Sequence, residues 1–110
     1  MKIINLTPNA INFRIYDNCS LLMTTTIEPS GVIARVSTKE VPMDSINEIP
    51  VIRTEYGEIE NLPAPCEGTV YVVSSLVAAR CPERSDVFIT GRPIRDKEYQ
   101  LVGYAGLIHA

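Results

Sequence analysis

At 110 residues the chain has the length of one domain, with room for a core of moderate size. A formal charge of −3 gives no basic footprint for duplex nucleic acid. No apolar run approaches the roughly 20 residues needed to span a bilayer as a helix. The start, Met1-Lys2-Ile3-Ile4-Asn5, lacks the apolar core and cleavage site of a secretory leader, so a cytosolic protein is expected.

In chain order, Lys2–Leu6 reads as a short strand and Thr7-Pro8-Asn9 as a turn. Ile11–Tyr16 alternates apolar and polar residues with period two, the pattern of a half-buried strand. Asp17-Asn18-Cys19-Ser20 is turn chemistry, and Leu21–Ile27 returns as a second arm. Glu28–Gly31 is another turn, and Val32–Val41 alternates loosely. Pro42–Glu48 reads as an irregular link, Ile49–Thr54 as a strand, Tyr56-Gly57 as a turn and Glu58–Leu62 as a returning arm. Pro63–Gly68 is an extended connector.

The most informative stretch is Gly68–Val87. Val70–Val73 is a continuous β-branched and aromatic run, the signature of a buried strand. Ser74 or Ser75 can cap a helix by accepting a bond from an amide of its first turn. Leu76–Cys81 is that helix, stopped at Pro82, which has no amide hydrogen. Val87–Thr90 is a short strand, Lys97–Gln100 a tight turn and Leu101–Ile108 a last strand. Gly103 and Gly106 within it suggest a bulge or a close backbone approach, and leave room for a C-terminal lid. The expected class is α+β: a mostly antiparallel sheet with one or two short helices in the C-terminal half. One domain spans 1–110, with a β-rich part over 1–73, a helix over 74–82 and a hairpin or tail over 87–110.

Three cysteines without C-x-x-C spacing read as free thiols: Cys19 in a turn, Cys66 in a loop, Cys81 at a helix end. No metal set is apparent. The single histidine, His109, lies near the end of the chain, where fraying is expected, so no nucleophile–base pair can be drawn. Catalysis is not expected. Arginine outnumbers lysine seven to three, and guanidinium forks suit bidentate capture of phosphate. Arg92 and Arg95 flank Pro93 and follow Phe88, which together offer a stacking ring and two anion-binding forks. The competing reading pairs these arginines with Asp86 and Asp96 and buries Phe88 in the core.

Three segments resemble the first-described type of phage anti-defence protein directed against the Thoeris system. They are Ile3–Ile11 (with Asn9 where a histidine is expected), Ile49–Pro63 and Gly68–Ala78, the last continuing through Glu83–Val87. The resemblance implies a homodimer or higher homo-oligomer, acting in the host cytoplasm, that binds a cyclic ADP-ribose isomer without cleaving it. It also implies cyclic oligonucleotide binding in some members and no cofactor. Phe88 is then expected to stack the base and Arg92 and Arg95 to hold phosphates, with Arg53 and Arg35 as further anion contacts. The alternative is a β-rich phage protein–protein interaction module with no small-molecule ligand.

Overall fold

A computed structural model describes residues 1–18 and 20–109. Among these described residues eight strands and one helix occur in chain order: β1 (Lys2–Asn5), β2 (Ile11–Asp17), β3 (Ser20–Ile27), β4 (Arg35–Ile46), β5 (Ile49–Glu60), β6 (Thr69–Val72), α1 (Ser75–Ala79), β7 (Val87–Arg95) and β8 (Leu101–His109). The chain is therefore β-rich with one short helix. No helix among the described residues is long and apolar enough to cross a membrane.

Six strands form one mixed sheet in the order β1-β6-β7-β8-β2-β3, and β4 and β5 form a separate two-stranded ribbon. β6 runs parallel to β1 on one side and to β7 on the other. The antiparallel expectation holds for β2–β3, β7–β8 and β4–β5 and fails for these two parallel pairs and for β2 with β8, which are also parallel. For β6 and β7 the cause is the helix between them, and β1 reaches β6 only after the intervening β2–β5. Antiparallel neighbours can be joined by a tight turn, whereas α1 crosses over and returns the chain in the same direction.

The central stretch folds by local rules. Alternation along β6 sends Tyr71 to one face and Val72 to the other. Tyr71 joins Leu6, Val36, Val73, Val77 and Val87 in the larger core beneath α1. Val72 joins Ile11 and Phe13 in a second cluster, with Tyr104 and Leu107 packed against it. Ser74 is the N-cap, its hydroxyl accepting the Val77 amide at 3.4 Å. The helix ends at the Arg80 cap, two residues before Pro82.

Two sequence expectations fail in the ribbon. The stretch 42–48 is not an irregular link: β4 continues to Ile46, and only Asn47 and Glu48 turn, both at positive φ (48° and 68°). That is the geometry of a two-residue type I′ hairpin. Glu48 stands where glycine usually signals this turn, so the motif is unmarked. Tyr56-Gly57 is no turn either; both lie inside β5, at a bulge where the register shifts between Val36 and Thr38. The bare Gly57 admits the Ser37 side chain, whose hydroxyl donates to the Glu58 carbonyl at 3.4 Å. Pro42 is tolerated because each ribbon strand has one edge without a ladder partner.

The C-terminal segment is not a peripheral tail. β7 and β8 occupy the middle of the six-stranded sheet. His109 does not fray: it is in register with Phe88, and its Nε2 lies 2.9 Å from the Arg84 carbonyl, to which it donates. The turn expectation for Cys19 falls outside the described residues.

Candidate functional site

β1, β6 and β7 point the same way, so their carboxyl ends gather on one side of the sheet. Crevices at that position are the usual ligand sites of sheets with parallel strands. A cleft of about 370 Å³ opens there. Thr7, Asn9, Ala10 and Ile11 come from the loop after β1, and Val73, Ser74 and Ser75 from the junction of β6 with α1. Ile89 and Thr90 of β7 and Tyr104 of β8 complete it.

The first wall is held by a buried amide. Asn5 is 1% exposed, and its Oδ1 accepts from the Thr7 amide at 2.9 Å and the Thr7 hydroxyl at 2.6 Å. Its Nδ2 donates to the carbonyls of Asn9 at 2.8 Å and Ile27 at 3.1 Å. All four bonding positions are engaged, which fixes the loop over Thr7–Asn9. The hydroxyls of Thr7 and Ser74 serve the local fold. Ser75, Thr90 and Tyr104 are left as lining hydroxyls with no such structural task among the described residues. Tyr104 also brings an aromatic ring. The lining carries no formal charge, so it suits ribose hydroxyls and a base better than a phosphate.

The five sequence-predicted residues do not line this cleft, and they divide between the two sheets. Arg35 and Arg53 lie in the ribbon, each in an exposed ion pair: Arg35 with Glu60 at 3.4 Å and Arg53 with Glu55 at 2.7 Å. Phe88, Arg92 and Arg95 lie on β7. Phe88 is half-buried and its ring meets that of His109 in a T, centroids 5.7 Å apart. Arg95 donates to the Tyr99 carbonyl at 3.1 Å and so braces the turn before β8. Asp96 serves the same turn, accepting the amides of Glu98 and Gln100, so it does not pair with either arginine. Asp86 is taken by Arg84.

Arg92 stands apart. It is two residues beyond Thr90 on β7, and the register brackets it between the pairs Gly91–Gly106 and Pro93–Tyr104. It therefore occupies the strand segment bordering the cleft. Its Cδ lies 3.8 Å from where a β-carbon on Gly106 would stand. Its φ is +54°, and among the described residues it is the one non-glycine residue inside a strand with a left-handed backbone. Such a conformation costs an L-residue about 1–2 kcal/mol and is retained where surrounding structure or function demands it. Composition gave no hint of this strain.

A second concavity of about 300 Å³ is lined by Pro65, Cys66, Glu67, Glu83, Arg84, Ser85 and Asp86. Its one cation is spent. Arg84 forks onto Asp86 at 2.9 and 3.0 Å and also reaches the Pro63 carbonyl at 2.9 Å. That bond holds the Asp86 carboxyl below its ordinary pKa and raises the guanidinium's. With Glu67 and Glu83 on the rim, this concavity repels a phosphate. Burial pushes the Cys81 thiol up, helped by the nearby Glu83, so it stays protonated and inert, with Sγ against the Val77 carbonyl at 3.3 Å. The chain matches no protein-family model, no curated protein and no solved structure.

Proposed function

We propose that this chain is a non-catalytic sponge that captures a cyclic ADP-ribose isomer at the cleft bordered by Arg92. It withholds the signal that TIR-domain defence enzymes send to their effector, in the cytoplasm of a phage-infected bacterium. The reading rests on the resemblance of Ile3–Ile11, Ile49–Pro63 and Gly68–Val87 to the anti-Thoeris family. The structural observation that carries it is a strained arginine beside a neutral, hydroxyl-lined cleft with one aromatic wall. The hydroxyls and Tyr104 meet ribose and base, and the guanidinium meets the phosphate edge. One charge-assisted phosphate contact contributes about 1.5–3 kcal/mol, and stacking of a base adds about 1–3 kcal/mol. Nanomolar capture needs about 12 kcal/mol, so several further contacts are required. Arg95, Arg53 and Arg35 lie off the cleft with their guanidiniums engaged, so those contacts fall to Ser75, Thr90, Tyr104 and the loop after β1.

Calorimetric titration with a cyclic ADP-ribose isomer, followed by heat release and chromatography of the ligand, tests this. Tight binding with intact ligand recovered supports a sponge. Recovery of cleaved product indicates a hydrolase. No heat and no shift in melting temperature removes the sponge reading for that ligand. It would favour a protein–protein interaction module, to which the exposed apolar ribbon is suited. The same titration with a cyclic oligonucleotide reports whether a second class of signal is bound.

A further inference from the structure

Most of the arginines are spent within the fold. Arg35, Arg53 and Arg84 pair with carboxylates, Arg80 covers the Tyr56 ring at 4.5 Å, and Arg95 holds the Tyr99 carbonyl. Among the described residues, the guanidiniums left without a protein partner are those of Arg14 and Arg92.

The register sets these two at one level on either flank of β8. Arg92 lies between the pairs Gly91–Gly106 and Pro93–Tyr104, and so opposite Ala105. Arg14 is one residue beyond the Phe13–Tyr104 pair on β2, and so also beside Ala105. Two strand spacings, about 10 Å, separate their backbones. Two arginine side chains can close that gap onto one pyrophosphate, whose linked phosphates offer an acceptor edge to each fork.

A trough joins Arg14 to the cleft. Asn9, Ala10 and Tyr104 line both the cleft and a neighbouring hollow of about 240 Å³. Asn12 and Val102 line both that hollow and a further one of about 290 Å³, which Arg14 also lines. Gly103 keeps the passage open: a β-carbon there would stand 3.0 Å from the Asn12 carbonyl and 3.6 Å from Cγ of Arg14. Alternation puts Asn12 and Arg14 on one face of β2, and the ladder sets Thr26 and Thr24 beside them on β3. The Thr26 hydroxyl donates to Asn12 Oδ1 at 2.8 Å, whereas the Thr24 hydroxyl has no such bond among the described residues. The half-buried Arg14 therefore keeps its donors, and a neighbouring hydroxyl, for an anion.

We infer that Arg14 is a second phosphate-binding residue, acting with Arg92 across β8 on the pyrophosphate of a nucleotide whose sugar and base occupy the cleft. The class selected is a nucleoside diphosphate ester over a nucleoside monophosphate. The inference deepens the sponge reading and rests on it for the sugar and base, but not for the anion.

The test is calorimetry with a cyclic ADP-ribose isomer on the wild type, Arg14→Gln, Arg14→Lys and Arg35→Gln. Loss of the fork in Arg14→Gln should weaken binding about tenfold to 100-fold. Arg14→Lys keeps the charge without the fork and should fall between, and Arg35→Gln, which loses the same charge away from the cleft, should bind as the wild type. Inorganic pyrophosphate, titrated into isotopically labelled wild type, supplies a readout free of any folding defect in a variant. The Nε–H resonances of Arg14 and Arg92 should shift together along one saturation curve, and adenosine should leave Arg14 unmoved. A pyrophosphate response at both arginines without binding of the isomer supports the anion site and removes the sponge reading. The inference is overturned, with the sponge reading left standing, by an Arg14→Gln variant that binds the isomer as tightly as the wild type. It is also overturned by an equal loss in Arg35→Gln, which would mark a bulk charge effect, or by an Arg14 resonance that ignores pyrophosphate.

Discussion

Arg92 offers the sharpest prediction, because its backbone and its side chain make opposite demands. At φ +54° a β-carbon is costly, and a glycine is not. Arg92→Ala removes the guanidinium and keeps the strained β-carbon. Arg92→Gly removes both. The two variants therefore lose the same ligand contact and differ only in backbone energetics. Glycine should be the more stable of the pair by about 1 kcal/mol, the usual left-handed penalty less the extra freedom glycine has when unfolded. In a domain of this size that corresponds to about 4–8 °C in melting temperature. The phosphate contact contributes about 1.5–3 kcal/mol, so both variants should bind a cyclic ADP-ribose isomer about tenfold to 100-fold more weakly. Differential scanning fluorimetry reads the first effect and calorimetry the second. An alanine variant at least as stable as the glycine variant refutes the strain argument. Unchanged affinity in both removes Arg92 from the site.

Other residues give independent checks. Because Arg84 lowers the Asp86 pKa in the folded chain, the pair stabilises above the unfolded carboxyl value of about 4 and the benefit is lost as pH falls through the folded value. Asp86→Asn should cost about 1–3 kcal/mol at neutral pH and flatten that part of the acid limb in urea titrations at stepped pH; an equally steep limb would exclude the pair as its source. Cys66 is exposed and Cys81 buried, so a thiol reagent should label Cys66 quickly and Cys81 only on unfolding, as peptide mapping would show. Ile108 covers Gly91 so closely that Gly91→Val should cost about 1–3 kcal/mol, measured by denaturant midpoint.

The sequence made the short-range features legible. Val70–Val73, the Ser74 cap and the stop before Pro82 are each written in adjacent residues, and the structure has β6, the cap and α1 there. Strand length in the ribbon was not legible, because Pro42 and Gly57 each imitate a break while Glu48 leaves the real turn unmarked. An isolated ribbon tolerates all three, and what permits them is the missing neighbour rather than any local signal. The parallel order of β1, β6 and β7 was hidden for a similar reason. A five-residue helix hardly announces a crossover, yet it decides where the strand ends converge. The cleft follows from that convergence, so Thr7, Ser75, Thr90 and Tyr104 could not be grouped from sequence. Arginine abundance pointed to anion binding and to β7, but not to which arginine borders the cleft.

The position of β8 has a consequence for how the chain acquires its shape. β2 and β3 are made early, but they join the sheet through β8, the last strand to be synthesised. Until residues 101–109 arrive, the hairpin has no ladder partner along β2, whose backbone edge is exposed to other nascent chains. A polypeptide emerging in order thus cannot finish from its beginning, and the final strand acts as a keystone. Interrupting synthesis before Leu101 would leave the hairpin tied to the rest only by side-chain packing on Val72 and the Asn5–Ile27 bond, with no ladder joining it to the sheet, an arrangement that favours slow, late assembly and renders incomplete copies prone to aggregation.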